Sequence, residues 1–177
     1  HRHSYTGCKP ATSEVLASMA ALVAEYNGIA KQSHVKGKLA HIIGIAEVVF
    51  ACGIASAIKG QKSPSGTYIP DEILTNAGRK LAGEEIYNEN KILADLAGGL
   101  IATIPMESEY YAPETGELLN KYIMRNPNIS AENVHRCFRM IEDQMLSEFG
   151  GGMIVAGLHG GGSPVMEEVA MMSRYPL

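Results

Sequence analysis

A long, mostly apolar stretch at residues 33–59 constrains the fold of this chain more than any other feature. Its apolar side chains recur at the three- and four-residue spacing of a helix and cover most of the helix circumference. The inner run, residues 39–58, is about as long as a membrane span, but it contains His41 and Glu47 and is flanked by lysines. We therefore predict a buried helix near the centre of a helical bundle and no membrane segment.

Helical spacing also marks most of the remaining sequence, and almost no alternating β pattern occurs. The predicted fold class is all-α, an antiparallel helical bundle. A loop is expected at residues 61–70, which are rich in Pro, Gly and Ser, and the glycines at 150–152 are expected to break a helix. The predicted helices begin near Ser13, Ser33, Asp71, Pro113, Ser130 and Pro164.

Composition limits the classes of partner and the compartment. The net charge of −4 at pH 7 favours neither nucleic acid nor an anionic membrane. Three widely spaced cysteines argue against a disulfide scaffold and for a reducing compartment, so a cytoplasmic location without a signal peptide is expected. Cys52 and Cys137 lie in apolar helical patterns and are expected to be small core residues.

The first ten residues contain the densest set of reactive side chains. His1, Tyr5, Cys8 and Lys9 place an imidazole, a phenol, a thiol and an ammonium in one short polar run, which Pro10 is expected to end. The spacing of His1 and Cys8 is not that of a zinc finger, and a metal site would need further ligands. By spacing alone, an incidental pair is favoured over a metal site, and Tyr5 and Lys9 are expected to be ordinary exposed polar residues.

Two glycine-containing motifs each leave two alternatives open. Residues 159–164 (HGGGSP) bring backbone N–H groups close to an anionic ligand or form a tight turn between helices. Residues 95–99 (DLAGG) lie against a cofactor or simply end a helix. Among the histidines, His41 is expected in the core, with His34 on the same helical face, and His135 in solvent.

Six short motifs are distributed over nearly the whole chain: residues 7–10 (GCKP), 24–28 (AEYNG), 33–36 (SHVK) with Lys38, 52–55 (CGIA), 95–99 (DLAGG) and 159–164 (HGGGSP). Together they resemble the 4-hydroxybutyryl-CoA dehydratase / vinylacetyl-CoA Δ-isomerase family. The wider relatives of that family are the flavin-dependent 4-hydroxyphenylacetate 3-monooxygenases, which share an acyl-CoA-dehydrogenase-like fold. The number of motifs makes the resemblance specific.

The resemblance implies that the chain is the C-terminal helical domain of a larger enzyme, which dehydrates a 4-hydroxyacyl-CoA, isomerises the double bond of an unsaturated acyl-CoA, or does both. Residues 1–10 would be the segment that contributes to a cluster and to the substrate site, and residues 11–177 would be the bundle. The implied cofactors are FAD and a 4Fe-4S cluster. The implied partners are the acyl-CoA substrate, the N-terminal part of the same protein and further copies in a homotetramer.

The resemblance also assigns roles to individual residues. His1 and Cys8 would ligate the cluster, and the remaining ligands would lie in the N-terminal part. His1 would in addition act as a base, with Tyr5 and Lys9 in the substrate site. Contacts with FAD and the flavin region would come from Lys38, Asp95, Leu96, Ala97, Gly98, Gly99, His159, Gly160, Gly161 and Ser163.

One position departs from the pattern of the family. Characterised dehydratases carry a catalytic glutamate shortly before the glycine-rich motif, and Ala156 occupies that place here. Dehydration, isomerisation alone and another acyl-CoA substrate therefore stay open. Glu167 and Glu168, just beyond the motif, are expected at a helix surface. Two further hypotheses are a flavin-dependent aromatic hydroxylase without a cluster and a non-catalytic bundle retained for oligomer assembly.

Overall fold

The computed structural model describes residues 2–176 and confirms the all-α fold class. Between the second and third helices lies a two-residue antiparallel ladder, with Gln61 paired to Ile69 and Lys62 to Tyr68, inside the loop that the sequence predicts. The elements are, in chain order, α1 (Arg2–Tyr26), α2 (Ser33–Ile58), β1 (Gln61–Lys62), β2 (Tyr68–Ile69), α3 (Glu72–Ala97), α4 (Leu100–Thr103), a 3-10 helix (Glu107–Tyr110), α5 (Gly116–Ile123), α6 (Ala131–Leu146), α7 (Glu148–Gly161) and α8 (Pro164–Arg174).

The described residues form two compact units. Unit one consists of residues 2–15, 41–89 and 153–176, and unit two consists of residues 16–40 and 90–152. Each unit has its own buried apolar side chains. They include Tyr5, Val49 and Ala82 in unit one and Val134, Phe138 and Ile141 in unit two.

Helices α2 and α7 of unit one each run antiparallel to α3, as predicted for neighbouring helices of the bundle. The hairpin of β1 and β2 turns the chain between α2 and α3, which therefore run in opposite directions. Helix α7 also runs opposite to α3. The contacts that fix these directions are His41 with Glu85, Cys52 with Gly78, Gly157 with Ile86 and Gly161 with Gly83.

Helix α6 supplies the main apolar face of unit two. Ser130 caps it, as the sequence predicts, because its Oγ accepts a hydrogen bond from the Asn133 N–H at 3.3 Å. The helix packs against α4 and α5. Its fully buried face contains Val134, Cys137, Phe138 and Ile141, which confirms the core position of that cysteine.

The predicted solvent position of His135 is wrong. Its side chain is 9% exposed, its ring meets the Tyr110 ring edge-on at 4.6 Å, and burial lowers its pKa. Polar neighbours in the sequence were misleading, because the charge of Arg139 adds to the lowering of the His135 pKa without forming a hydrogen bond that would hold the histidine at the surface. The Arg139 guanidinium donates a hydrogen bond to the carbonyl oxygen of Pro105 at 2.9 Å.

Helix α2 is less buried than its sequence predicts. By length and composition alone it is the one helix among the described residues that could cross a membrane, a test that core helices of soluble proteins also pass. One face, which includes Ile42 and Val49, is fully buried. However, Ile43, Phe50 and Ile58 are more than half exposed, so the predicted central position is wrong for the part of the chain that the structure describes.

Two predicted helix boundaries are also wrong. Helix α1 begins at Arg2 and continues through Pro10, so residues 2–10 belong to the same helix as residues 11–26, and the helix does not begin near Ser13. The glycines at 150–152 lie inside α7 and do not break it. The break comes earlier, at Ser147, whose extended backbone ends α6 and whose Oγ accepts a hydrogen bond from the Gly150 N–H at 3.1 Å.

Candidate functional site

Lys9 is the most constrained of the residues that the sequence assigns to a site. Its side chain is only 4% exposed, and its ammonium donates hydrogen bonds to the Ser13 hydroxyl at 2.5 Å and to the Glu89 carboxylate. The Ser13 hydroxyl donates in turn to the second oxygen of Glu89 at 2.8 Å. These three groups form a closed polar triad inside unit one, so Lys9 is not the exposed polar residue that its spacing predicts.

Tyr5 lies one helical turn before Lys9 on the buried side of α1. Its hydroxyl donates a hydrogen bond to the Gly157 carbonyl oxygen at 2.8 Å, which ties α1 to α7. Burial, and then the charges of Cys8 and Glu89, raise the pKa of Tyr5 to about 12. The phenol therefore stays protonated at physiological pH and can act as a hydrogen-bond donor but not as a base.

The glycine-rich motif packs directly against Tyr5. A Cβ atom on Gly160 would lie 2.5 Å from Cε2 of the Tyr5 ring, and one on Gly161 would lie 2.9 Å from the Cα of Gly83. Gly162 follows with a φ of +70°, which ends α7. The sequence left open a ligand contact or a tight turn between helices; Gly162 fits the turn, whereas close helix packing, which neither alternative included, accounts for Gly160 and Gly161. Contacts of this motif with a flavin, including His159 and Ser163, stay a prediction.

Replacing Gly160 with alanine is expected to destabilise the protein by about 1 to 3 kcal/mol, because the new methyl group overlaps the Tyr5 ring. Urea denaturation would measure the loss. Gly151→Ala is a matched control in the same helix, since a Cβ there meets nothing within 4 Å. Equal stability of the two variants would contradict the packing assigned to Tyr5.

Cys8 is an exposed free thiol on α1. Its sulfur donates a weak hydrogen bond to the carbonyl oxygen of Ser4 at 3.4 Å. Its single thiol can supply one ligand of a cluster, and the residues that the structure describes contain no group of three or more His, Cys, Asp or Glu side chains that could hold a metal ion. His1, the second predicted ligand, lies outside the described residues.

A buried ionic cluster joins the start of α1 to α3 and α8. The Glu167 carboxylate is 1% exposed and accepts hydrogen bonds from Arg79 at 2.6 Å and from Arg2 at 2.5 Å. Arg79 also donates to the Gly160 carbonyl oxygen at 2.8 Å. The predicted surface position of Glu167 is therefore wrong, whereas Glu168 is exposed as expected.

His41 is not in the core as predicted. It is exposed at the surface of unit one, where its Nε2 lies 2.9 Å from the Glu85 carboxylate, which also accepts a hydrogen bond from Asn88 at 2.8 Å. Burial acts to raise the pKa of Glu85, but the hydrogen bonds from Asn88 and His41 outweigh it and lower the pKa overall. Lys9 adds to this lowering, so the surface pair and the buried triad are electrostatic neighbours.

The other predicted cofactor residues lie in unit two, around the end of α3. Lys38 forms an ion pair with Asp95, and the hydrogen bond and charge of Lys38 lower the pKa of Asp95. The Leu96 carbonyl oxygen accepts a hydrogen bond from Asn27 at 3.0 Å.

Gly98 has a φ of +74°, which confirms that residues 95–99 end a helix. Leu96 and Ala97 are buried, and Gly99 precedes α4, so FAD contacts of this segment stay a prediction.

Sequence reasoning missed four residues of these clusters: Ser13, Arg79, Glu89 and Glu167. Only one of them had a usable local signal. Ser13 is four residues after Lys9, the spacing that places two side chains on one helix face. The sequence instead suggested that Ser13 caps a helix, because the helix was expected to begin there.

Comparisons with known proteins place the chain among larger flavin-related enzymes. A sequence profile described as "4-hydroxyphenylacetate 3-hydroxylase C terminal" matches residues 1–177. The chain is 34% identical to the 4-hydroxybutyryl-CoA dehydratase/vinylacetyl-CoA-Delta-isomerase of Clostridium aminobutyricum over 98% of its own length and 37% of that protein. The resemblance inferred from the motifs is thereby confirmed.

Two solved structures show the same fold. An oxygen-tolerant archaeal 4-hydroxybutyryl-CoA dehydratase from N. maritimus is 37% identical, with a TM-score of 0.85 over 97% of this chain and 34% of that one. The oxygenase component of 4-hydroxyphenylacetate 3-monooxygenase, in complex with FAD, is 25% identical, with a TM-score of 0.86 over 99% of this chain and 36% of that one. The chain thus spans about a third of the length of the relatives it matches.

Proposed function

Because this chain belongs to the 4-hydroxyphenylacetate 3-hydroxylase C-terminal family, we propose that it is the C-terminal helical domain of a larger flavoenzyme that acts on an acyl-CoA thioester. The observation that carries the proposal is the 34% identity to a 4-hydroxybutyryl-CoA dehydratase/vinylacetyl-CoA-Delta-isomerase along 98% of the chain. The proposed reaction is dehydration of a 4-hydroxyacyl-CoA, isomerisation of the double bond of an unsaturated acyl-CoA, or both.

FAD and a 4Fe-4S cluster are the proposed cofactors, and when bound they would supply one-electron oxidation and Lewis acidity. The exposed Cys8 thiol suits one position of a cluster, with His1 and ligands outside this chain completing it. Lys38 and the residues around Gly98 would contact FAD. Tyr5 would remain neutral, with its O–H held by the Gly157 carbonyl oxygen, and Lys9 would provide a fixed positive charge near the substrate.

The balance between dehydration and isomerisation depends on Ala156. An alanine side chain cannot accept or donate a proton, so no step that needs a carboxylate at this position can come from it. We propose that isomerisation is the more robust activity of the complete enzyme. Assays with a 4-hydroxyacyl-CoA and with a vinylacetyl-type thioester would separate the two activities.

A flavin-dependent aromatic hydroxylase is the second candidate. It is favoured by the matching family profile and by the structural similarity to a 4-hydroxyphenylacetate 3-monooxygenase component bound to FAD. This candidate has no cluster, so Cys8 would bind nothing. Iron, acid-labile sulfide and flavin analysis of the complete protein, purified without oxygen, separates the candidates, because flavin without iron would support the hydroxylase and contradict the first proposal.

Replacing Cys8 with alanine in the complete protein is expected to lower the iron content and the acyl-CoA activity together. The control is Cys52→Ala, since Cys52 is a partly buried residue whose pKa is raised by burial and whose side chain packs near Gly78. Its replacement should affect packing and leave iron in place. An equal loss of iron in both variants would show that Cys8 is not the ligand.

We further propose a cytoplasmic homotetramer. The exposed apolar residues of α2 support assembly, because a surface of this kind is usually covered by another chain or another part of the same protein. Sedimentation analysis of the complete protein tests the stoichiometry, and a monomer at micromolar concentration would contradict it.

A further inference from the structure

We propose that Glu89, together with Ser13, is a positioning residue that holds the Lys9 ammonium in one fixed position and direction for the reaction. The inference rests on the proposed function, in which Lys9 belongs to the acyl-CoA site. Glu89 touches neither substrate nor cofactor in this proposal, and it acts only through Lys9. No part of the sequence pattern pointed to it.

The first support is the completeness of the triad. Lys9, Ser13 and Glu89 are all at least 96% buried, and each oxygen of the Glu89 carboxylate accepts one hydrogen bond, one from Lys9 and one from Ser13. Two of the three N–H groups of Lys9 are therefore directed at defined partners. The ammonium cannot rotate freely, so its remaining N–H points in one direction, which a flexible surface lysine would not do.

The second support is the free-energy cost of burying the charges of Lys9 and Glu89. An ion pair out of contact with water is rarely more stabilising than apolar side chains of the same size. A lysine, a serine and a glutamate at three interlocking buried positions therefore suggest a role beyond stability. Tyr5, the second residue assigned to the substrate site, also feels this charge, because the Glu89 carboxylate contributes to the raised pKa of Tyr5.

A fixed Lys9 ammonium would stabilise the negative charge that develops on the thioester during the reaction. When a base takes up the proton next to a thioester carbonyl, the role that the family resemblance gives to His1, negative charge develops on the carbonyl oxygen. A fixed, desolvated ammonium stabilises such charge far better than a mobile one, because it needs no reorganisation as the charge develops. Without Glu89 the ammonium would lose its counter-charge and its direction together. We therefore expect the effect on turnover to exceed the effect on substrate binding.

The test compares Glu89→Gln and Ser13→Ala with Glu84→Gln in the complete protein. Glu84 lies on the same helix, and it pairs with Lys80 at the surface. Glu89→Gln is expected to lower kcat by about 100-fold or more, with KM changed far less and FAD and iron content retained. Ser13→Ala should give a smaller loss of kcat, and Glu84→Gln should give none.

A second measurement does not depend on turnover. Amine-selective acylation followed by mass spectrometry should modify Lys9 slowly in the wild-type protein and faster in Glu89→Gln. Unchanged labelling, or faster labelling with unchanged kcat, would overturn the positioning role. A wild-type protein inactive on acyl-CoA thioesters would contradict the proposed function itself, and labelling would still decide whether Glu89 holds Lys9.

Discussion

Replacing Glu167 with alanine is expected to lower the free energy of unfolding by about 3 to 5 kcal/mol, because it leaves Arg79 buried without its carboxylate. The same change releases Arg2 at the start of α1. Arg79 would also hold the Gly160 carbonyl oxygen less firmly, since its guanidinium would lose the second partner that fixes its direction. Urea denaturation of the protein that contains this chain measures the loss.

The neighbouring glutamate gives the matched control. The Glu168 side chain is exposed, and its Oε1 lies 3.4 Å from the Nζ of Lys80. Because an exposed ion pair contributes little to stability, Glu168→Ala should leave the urea midpoint unchanged. Glu167→Gln should fall between the two, because it keeps hydrogen-bonding atoms and removes only the charge. If Glu167→Ala and Glu168→Ala shift the midpoint equally, the ionic cluster of Glu167 does not contribute as the structure indicates.

These two glutamates also show what the sequence could not predict. Both residues follow the glycine-rich motif, and both have the same side chain. Which one is buried depends on how α8 lies against α3, because the partner of Glu167 is 88 positions away in the chain. The same limit applies to Lys9 and Glu89, which are 80 positions apart. Local spacing carries no information about such pairs.

Features that depend on neighbouring residues were predicted well. The Ser130 cap and the end of a helix at Gly98 were confirmed. A capping hydroxyl accepts a hydrogen bond from the first turn of its helix, and a glycine with a positive φ ends a helix at its last turn, so both effects depend only on residues within one turn. The error at 150–152 has a local cause as well. Glycine is tolerated in the first turn of a helix when a residue such as Ser147 caps that helix. A run of glycines therefore marks a helix boundary, but it does not show whether the glycines follow the end of one helix or begin the next.

Helix α2 shows a different limit. Its apolar composition was correctly recognised, but composition does not reveal what covers each face. Val49 is fully buried within the described chain, whereas Phe50, its immediate neighbour, is half exposed. A sequence analysed alone cannot distinguish a face covered by the same chain from one covered by another part of a larger assembly, because both require apolar side chains.

Replacing Lys9 with methionine is expected to cost about 3 to 5 kcal/mol of unfolding free energy, because the Glu89 carboxylate would remain buried with only Ser13 as its partner. The double variant Lys9→Met/Glu89→Leu should recover most of that loss, since it removes both charges and restores apolar packing. Urea midpoints of the two variants and of Glu89→Leu complete the cycle. A double variant no more stable than Lys9→Met would contradict the direct pairing.

The same double variant separates stability from chemistry. If the triad served only to hold helices together, a protein with two apolar side chains in its place would be stable and active. If the ammonium is the group that matters, the double variant should be stable, retain FAD and be inactive, because no rearrangement of packing can replace a fixed positive charge. Measuring stability, flavin content and turnover on one protein sample therefore decides between a structural and a functional triad.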